Sequence, residues 1–409
     1  MFDKSALVAE ASFSYGRVEA LLQKSLGTNA TLVEASSRRI GEMMGFMSRI
    51  VRISLKWSDN SDELPRSVVL KIPSVKNFSE FEKVAEQLKG ALEKMKGLNE
   101  MVAMAHNNEC AFYKFASGRE RTLKVPKCFV VEEIDLEKGQ AGLLILEDLT
   151  ASGGYVKRLY DKLELPLLKD VLAAQAAYHA LSLMDSSWRE KLYLTLEDFI
   201  GPSKEGLMEM SRINADVLAS RFPDYFSMET VQRLKGFIDF DEHVLYADLE
   251  HERMGLPALL AHGDFWTTNI VVRRENESGE ERLVAIIDWQ RCHPGCASED
   301  TARFLCCSVD SKNRRERTAE LLRYYHSCLL EEFKRAGQEC PLTEEQTVEG
   351  YRRLFKFAVL SFWSLLATTA SQDELLGEEP ERARHELLDR TKALMEDMFA
   401  LEDDLTARK

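Results

Sequence analysis

The stretch that decides the fold is His262-Gly263-Asp264-Phe265-Trp266-Thr267-Thr268-Asn269. It places an aspartate two residues after a histidine, and an asparagine five residues after that aspartate. The spacing H-x-D-x-x-x-x-N is expected by chance only about 0.01 times in a chain of this composition. Coincidence is therefore a poor explanation, and the surrounding sequence should supply the partners that such a loop requires.

Two strand-like segments, residues 270–273 and 283–287, follow this stretch and predict a hairpin around a polar turn. The second segment ends at Asp288, so the hairpin would return this carboxylate beside Asn269. A carboxylate and an amide oxygen suit Mg²⁺, which bridges nucleotide phosphates in phosphoryl transfer. Asp264, placed as in a kinase catalytic loop, is then expected to orient or deprotonate an acceptor hydroxyl. The alternative is that these three residues have unrelated local roles.

A lysine within an apolar strand is the next candidate. Lys71 lies in Ser67-Val68-Val69-Leu70-Lys71-Ile72, and such a lysine is costly to bury unless it is paired or liganded. We expect it to bind the α- and β-phosphates of ATP, the alternative being an edge-strand lysine that reaches solvent. Glu109, on a later helical stretch, is the expected partner. Three other acids remain alternatives: Glu80, Glu82 and Glu100.

Two backbone segments are candidates for further nucleotide contacts. Residues 143–149 form an apolar strand that ends in acids, and the Glu147 carbonyl and Leu149 amide are expected to contact adenine. A core strand that ends at the surface would have the same sequence. The turn before the second strand is not G-x-G-x-x-G, but the amides from Gly45 to Ser48 could cap phosphates. A plain hairpin turn is the alternative there.

The pattern along the chain predicts a β-rich first part, residues 1–150, and a mainly helical second part, residues 151–409. Asp300 is expected as an acid at a helix N-terminus, beginning a helix over 301–309, and could also brace the catalytic loop. The predicted strands are 31–40, 46–57, 66–72, 125–133 and 142–149. The predicted helices are 3–26, 78–96, 100–117, 165–184, 205–221, 229–251, 314–336, 344–370 and 380–401.

Composition narrows the class of protein. The 409 residues carry 54 basic and 68 acidic side chains, a formal charge of −14, which argues against a nucleic-acid-binding protein. No apolar run is long enough to cross a bilayer, and the N-terminus lacks the order of a signal peptide. Eight scattered cysteines are not the density of a disulfide-stapled domain. We therefore expect a soluble cytoplasmic protein, whose oligomeric state the sequence leaves open.

Taken together, these motifs resemble the ecdysteroid-kinase-like family, also called CHK kinase-like. This family is a branch of the aminoglycoside phosphotransferase and choline kinase superfamily. One departure is Phe265, where many members have leucine. The resemblance rests on Val69-Leu70-Lys71, Glu109 with Phe112-Tyr113, Leu146-Glu147-Asp148-Leu149 before Gly154-Tyr155, the 262–269 stretch, and Ile286-Ile287-Asp288-Trp289-Gln290 ahead of Glu299-Asp300.

The resemblance implies an α+β, bilobal protein-kinase-like fold, with a small antiparallel sheet in the N-terminal lobe and a larger, mainly helical C-terminal lobe. It implies transfer of the ATP γ-phosphate to a small-molecule hydroxyl, on a steroid, a xenobiotic conjugate or a choline-like alcohol. Carried over by motif, Asp264 would be the base, Asn269 and Asp288 would hold Mg²⁺, and Lys71 and Glu109 would form the phosphate-binding ion pair. The alternative function is a catalytically silent, kinase-like binding protein for a hydrophobic ligand or partner.

Overall fold

A five-stranded antiparallel sheet in the order β1-β2-β3-β5-β4 forms the first part of the chain. The computed structural model describes residues 2–9, 11–41, 47–59, 61–75, 97–275 and 279–407. The strands are β1 (Leu32–Ile40), β2 (Ser48–Trp57), β3 (Ser67–Pro73), β4 (Cys128–Glu132) and β5 (Leu143–Glu147). The helices of this part are α1 (Tyr15–Leu26), α2 (Leu98–Ala116) and α3 (Glu120–Leu123).

The sheet alternates between two buried environments. Val68 and Leu70 of β3 pack with α1 residues in one hydrophobic core. Lys71 points to the opposite face, where Leu144 and Leu146 of β5 join a second core that includes α2. This period of two explains how an apolar strand can carry one lysine towards the cleft.

The second part is mainly helical, with two small sheets between its helices. Strands β8 (Ile270–Arg274) and β9 (Glu281–Ile286) form the predicted hairpin, and β6 (Tyr155–Val156) pairs with β8. Strands β7 (Leu259–Ala261) and β10 (His293–Gly295) form the other sheet. The helices are α4 (Leu165–Met184), α5 (Leu196–Ile200), α6 (Lys204–Arg221), α7 (Met228–Lys235), α8 (Phe240–Arg253), α9 (Ala297–Ser308), α10 (Ser311–Arg335), α11 (Glu344–Ala370) and α12 (Pro380–Ala407).

This arrangement confirms the α+β, protein-kinase-like fold class expected from the sequence. The predicted boundary near residue 150 falls in a 3-10 turn, Leu149–Ser152. That division into 1–150 and 151–409 stays a prediction, because α2 packs in the same core as α4. The predicted helix 78–96 lies outside the described residues.

Several predicted helices were wrong in their extent; the helix predicted at 380–401, for example, ends at Ala407. The predicted helix 229–251 is two helices, α7 and α8, because the chain turns at Gly236 and Asp239 then caps α8 by accepting from the Asp241 and Glu242 amides. The predicted helix 3–26 begins only at Tyr15, after the Ser14 N-cap. Helix α9 begins at Ala297 rather than at residue 301. For the helices predicted at 229–251 and 3–26, a polar capping group or a turn decides the boundary, and periodicity does not register it.

One aromatic stack joins the two parts. The Trp289 ring, in the 3-10 turn that follows β9, lies parallel to the Phe112 ring of α2, with a centroid distance of 4.0 Å and an interplanar angle of 6°. Both side chains are fully buried. The Trp289 indole N–H donates to the Ile286 carbonyl at 3.2 Å, which satisfies its polar atom.

Removing this ring should therefore loosen the joint between the two parts. Trp289→Ala should lower the unfolding free energy by about 3–5 kcal/mol, because a large cavity would remain against Phe112. Urea melts followed by circular dichroism would measure the change. Tyr193→Ala is the matched control, since that side chain is 65% exposed, and it should change stability by less than about 0.5 kcal/mol. Equal effects of both substitutions would contradict the packing described here.

Candidate active site

Lys71 is enclosed by two carboxylates. Its Nζ lies 2.5 Å from Glu109 Oε2 and 2.6 Å from Asp288 Oδ1, and its side chain is 7% exposed. Burial would lower the pKa of Lys71, but the Asp288 and Glu109 carboxylates outweigh burial and raise it. The lysine is therefore a fixed positive charge that ties β3 to α2 and to the end of the β8–β9 hairpin.

Glu109 is held from two sides. Its second oxygen, Oε1, accepts the Trp289 backbone N–H at 3.2 Å. The neighbouring Asn108 donates to the Cys292 carbonyl at 2.7 Å, which fixes α2 against the segment after Asp288. Of the acids left open by the sequence, Glu109 is the helix acid that contacts Lys71. Glu100 is exposed in the first turn of α2, and Glu80 and Glu82 lie outside the described residues.

The hairpin brings Asp288 next to Asn269 along the backbone. The Ile287 amide donates to the Asn269 carbonyl at 2.9 Å, one residue before Asp288. The Asn269 side-chain amide donates to the Asp264 carbonyl at 2.8 Å and leaves its oxygen for another partner. Asp288 has φ 67° and ψ 60°, a left-handed conformation that costs a non-glycine residue free energy and is retained mostly at functional sites.

Asp264 lies at the head of the loop, with its side chain 19% exposed. Its backbone N–H donates to His262 Nδ1 at 3.2 Å, so His262 Nε2 is the protonated nitrogen and donates to the Ile287 carbonyl at 3.0 Å. Burial lowers the pKa of His262, which keeps this tautomer neutral. One ring thus joins the start of the loop to the strand that carries Asp288.

Asp300 holds the backbone of the 262–269 loop through hydrogen bonds. Its two oxygens accept the His262 and Gly263 backbone amides at 2.7 and 3.0 Å, and Oδ2 also accepts the Tyr178 hydroxyl at 2.8 Å. Burial would raise the pKa of Asp300, but the hydrogen bond from His179 and the other donors outweigh it and hold the pKa well below its usual range. The structure thus has Asp300 in the bracing position, which was the second of the two roles expected for it.

At Gly263 the loop passes very close to the backbone of Arg291. Its φ is 75°, and a Cβ at this position would lie 2.3 Å from the Arg291 carbonyl oxygen. Only glycine combines the left-handed backbone with that close approach. The glycine at the second position of the motif therefore follows from the geometry of the loop.

A buried network of charged residues next to Asp264 was not predicted from the sequence. Glu299 lies 3.0 Å from His293 Nε2 and 3.3 Å from Arg303 Nε. The far end of the Arg303 guanidinium lies 4.0 Å from Asp264 Oδ1. The i to i+4 spacing of Glu299 and Arg303 on α9 was the available signal, but such pairs are usually surface pairs.

The structure describes some, but not all, of the backbone residues that were predicted to contact nucleotide. Glu147 ends β5 with an exposed side chain, and Leu149 begins the following turn. Ser48 begins β2 and is buried, whereas Gly45 lies outside the described residues. The sequence missed an ion pair at this end of the cleft, in which Arg52 Nε lies 2.6 Å from Asp148 Oδ2.

The residues present fit one Mg²⁺ ion shared with phosphates. Asp288 offers a carboxylate that is 28% exposed, and Asn269 offers an amide oxygen. In the part of the chain that the structure describes, no three His, Cys, Asp or Glu residues cluster into a closed metal site. Mg²⁺ keeps waters and substrate phosphates and needs only one or two protein carboxylates, so the fit depends on Asp288 and Asn269 alone.

An antiparallel sheet with a buried Lys–Glu pair, followed by a helical part with the 262–269 loop and Asp288, defines a protein of the protein-kinase-like fold class. The chain belongs to the DUF1679 family, described as "Uncharacterized oxidoreductase dhs-27", whose model matches residues 10–404. None of the described helices is long and apolar enough to cross a membrane.

The curated relative named "Uncharacterized oxidoreductase dhs-27", from Caenorhabditis elegans, is 27% identical over 327 residues. The match covers 76% of this chain but only 37% of the relative, so the chain spans little more than a third of that protein's length.

Solved structures with a similar course of the chain include two phosphotransferases. One, assigned as an aminoglycoside phosphotransferase from Ralstonia eutropha, is 12% identical, with a TM-score of 0.46, covering 93% of this chain and 98% of that one. The ethanolamine kinase of Plasmodium vivax is also 12% identical, with a TM-score of 0.38, covering 89% and 81%.

Because Asp300 accepts these hydrogen bonds, its replacement by the nearly isosteric asparagine should lower the stability of the protein strongly. Asp300→Asn replaces one acceptor oxygen by an NH₂ group that faces N–H and O–H donors, and should cost about 3 kcal/mol. Chemical denaturation of the two proteins would measure the loss. Asp241→Asn is the control, because that carboxylate is 74% exposed. A loss no larger than the control's would mean that Asp300 does not brace the loop.

The contact between His293 and Glu299 should make the stability of the protein depend on pH. Burial lowers the pKa of His293, but the Glu299 carboxylate outweighs burial and raises it to about 9. A raised pKa stabilises the fold fully below the unfolded value near 6.5, and this contribution is lost as pH rises towards 9. Unfolding free energies measured from pH 6.5 to 9 should therefore fall by about 3 kcal/mol more for wild type than for His293→Gln. Parallel curves of unfolding free energy against pH for the two proteins would contradict the raised pKa of His293.

Proposed function

We propose that this chain transfers the γ-phosphate of ATP, with Mg²⁺, to a hydroxyl of a small molecule. The observation that carries the proposal is the position of Lys71, between Glu109 and Asp288 in a cleft that also contains Asp264 and Asn269. A buried lysine, a helix acid, a loop aspartate and a metal-binding pair are the groups that phosphoryl transfer requires.

The first part of the chain would bind the nucleotide. Lys71, kept charged and oriented by Glu109, would donate to the α- and β-phosphates. The Glu147 carbonyl and the Leu149 amide would contact adenine at the end of β5. Amides from Gly45 to Ser48 would cap the phosphates. Lys71 lies on β3, Glu147 ends β5 and Leu149 begins the turn after it, whereas Gly45 lies outside the described residues.

Asn269 and Asp288 would hold Mg²⁺, which neutralises phosphate charge as it develops. Lys71 Nζ lies 2.6 Å from Asp288 Oδ1, and each charge compensates the other. A phosphate oxygen that binds Lys71 would free this carboxylate for the metal.

Asp264 would act on the acceptor. Its carboxylate, partly open to solvent, would accept the hydroxyl proton as the acceptor oxygen bonds to the γ-phosphorus. The bond from that phosphorus to the bridging oxygen breaks, and its electron pair leaves with ADP. The His262 and Asp300 contacts keep the backbone of Asp264 fixed, so little reorganisation is needed in the reaction.

The oxidoreductase name of the C. elegans relative does not lead to a hydride-transfer proposal for this chain. Dinucleotide-dependent oxidoreductases of the doubly wound class need a parallel sheet with a glycine-rich turn. Among the described residues every strand pair is antiparallel. Most of that relative's length lies outside the match, because this chain covers only 37% of it.

Mg·ATP should stabilise the wild-type protein against heat, by about 2.7 kcal/mol at a hundredfold excess over Kd. Asp288→Asn should weaken nucleotide binding at least about tenfold, because the metal loses its carboxylate. Asp264→Asn is the matched control, since this residue would touch the acceptor, and its shift should equal that of wild type. Each shift is measured against the same variant without ligand.

Turnover separates the two aspartates further. With an alcohol that serves as acceptor, Asp264→Asn should lower the transfer rate by about 10²- to 10⁴-fold while nucleotide affinity is kept. A panel containing choline and a hydroxysteroid, assayed with γ-labelled ATP, would find such an acceptor. A wild-type protein that responds to the steroid but never to Mg·ATP would contradict the proposal and favour a kinase-like binding protein.

A further inference from the structure

Arg291 is a cation that the proposed chemistry has not yet used. It ends the 3-10 turn Trp289–Arg291, three residues after Asp288. Its guanidinium lies 3.8 Å from Asp264 Oδ1, beyond hydrogen-bond distance, and its side chain is 24% exposed. Within the described ranges, Asp264 is the one carboxylate within 4.0 Å of this guanidinium. Arg291 therefore reaches from the metal-binding turn to the acceptor-binding loop and is held loosely there.

Arg303 approaches the same oxygen but is held rigidly. Its side chain is 2% exposed, and its Nε lies 3.3 Å from Glu299. Its guanidinium carbon lies 4.8 Å from the centre of the Phe357 ring and 5.5 Å from that of Phe362. Arg303 therefore cannot follow a ligand, and it keeps a fixed positive charge 4.0 Å from Asp264 Oδ1.

Three cations lie around Asp264. Arg291, Arg303 and His293, which donates from both ring nitrogens to Arg291 O and Glu299, supply three positive charges. Asp264 and Glu299 supply two negative charges in contact with these cations, and Asp288 and Asp248 act on Arg291 and His293 from farther away. The exposed side of this group is the side of Arg291, so an anionic group that enters there meets this guanidinium.

We propose that Arg291 binds the phosphoryl group while it is transferred. The inference rests on the proposed function, because the phosphoryl group must pass from nucleotide to acceptor between Asp288 and Asp264. Arg291 exchanges its loose contact with Asp264 for charge-assisted hydrogen bonds to the phosphoryl oxygens. This exchange neutralises charge on the transferring group.

The same exchange releases Asp264 from its contact with Arg291. Asp264 then takes the hydroxyl proton as the acceptor oxygen bonds to phosphorus and ADP leaves with the electron pair of the broken bond. One arginine thus moves from the acceptor-binding loop to the transferring group during the step.

A transition-state analogue tests the inference without a known acceptor. Calorimetry would compare Mg·ADP alone with Mg·ADP plus aluminium fluoride, which mimics the transferring phosphoryl group. Arg291→Gln should weaken binding of the fluoride complex by about 30-fold or more, and binding of Mg·ADP by less than about threefold. Arg291→Lys should lie between, because a lysine keeps the charge but loses the bidentate geometry. Arg274→Gln, at a side chain that is 71% exposed, should leave both affinities unchanged.

The outcomes separate this inference from the proposed function. If Arg291→Gln binds the fluoride complex as tightly as wild type, Arg291 does not bind the phosphoryl group. An equal loss for Mg·ADP and for the fluoride complex also overturns the inference, because it would reveal a structural role. In both cases the nucleotide site itself would stand. A wild-type protein that binds neither complex would overturn the proposed function together with this inference.

Discussion

The buried charge of Lys71 is the constraint on which the rest of the structure depends. A lysine with 7% exposure must have its charge compensated, and here Glu109 and Asp288 do so from two other elements, Lys71 and Asp288 being 217 positions apart in the sequence. Breaking a buried ion pair by removing one partner typically costs about 3–5 kcal/mol. The strand, the helix and the hairpin are therefore held together by one charged group, at the point where phosphates are proposed to bind.

Packing and hydrogen bonds extend this constraint to the loop. The Trp289–Phe112 stack fixes the turn after Asp288 against the helix that carries Glu109. His262 links the loop to the same hairpin, and Asp300 holds the loop backbone from α9. Each contact joins segments that are distant in sequence. The result is a cleft whose polar groups are oriented before any ligand arrives, which is the condition for efficient electrostatic catalysis.

The sequence predicted much of this because the decisive signals are local. The period-two strand around Lys71, the spacing from Asp264 to Asn269 and the hairpin that ends at Asp288 are all read from short windows. The choice of Glu109 was right in geometry, although three other acids were open. The α+β fold class followed from the change in texture near residue 150.

Other features could not be predicted because they are set by tertiary contacts. The Glu299–Arg303–His293 network and the Arg52–Asp148 pair involve residue types that are mostly exposed in proteins, so the burial of the network and of Asp148 has no local signal. The division of 229–251 into two helices depends on a cap at Asp239, which periodicity overlooks. The first helix of the chain was likewise shortened by the Ser14 cap.

The most direct test of the central claim is a crystal structure of the chain with Mg²⁺ and a non-hydrolysable ATP analogue. The account predicts that Lys71 leaves Asp288 for the phosphates and keeps Glu109. It predicts that the metal binds Asp288 and Asn269, and that the adenine ring of the nucleotide lies against the end of β5. Nucleotide bound elsewhere, or a cleft in which Lys71 still contacts Asp288 beside bound nucleotide, would contradict it.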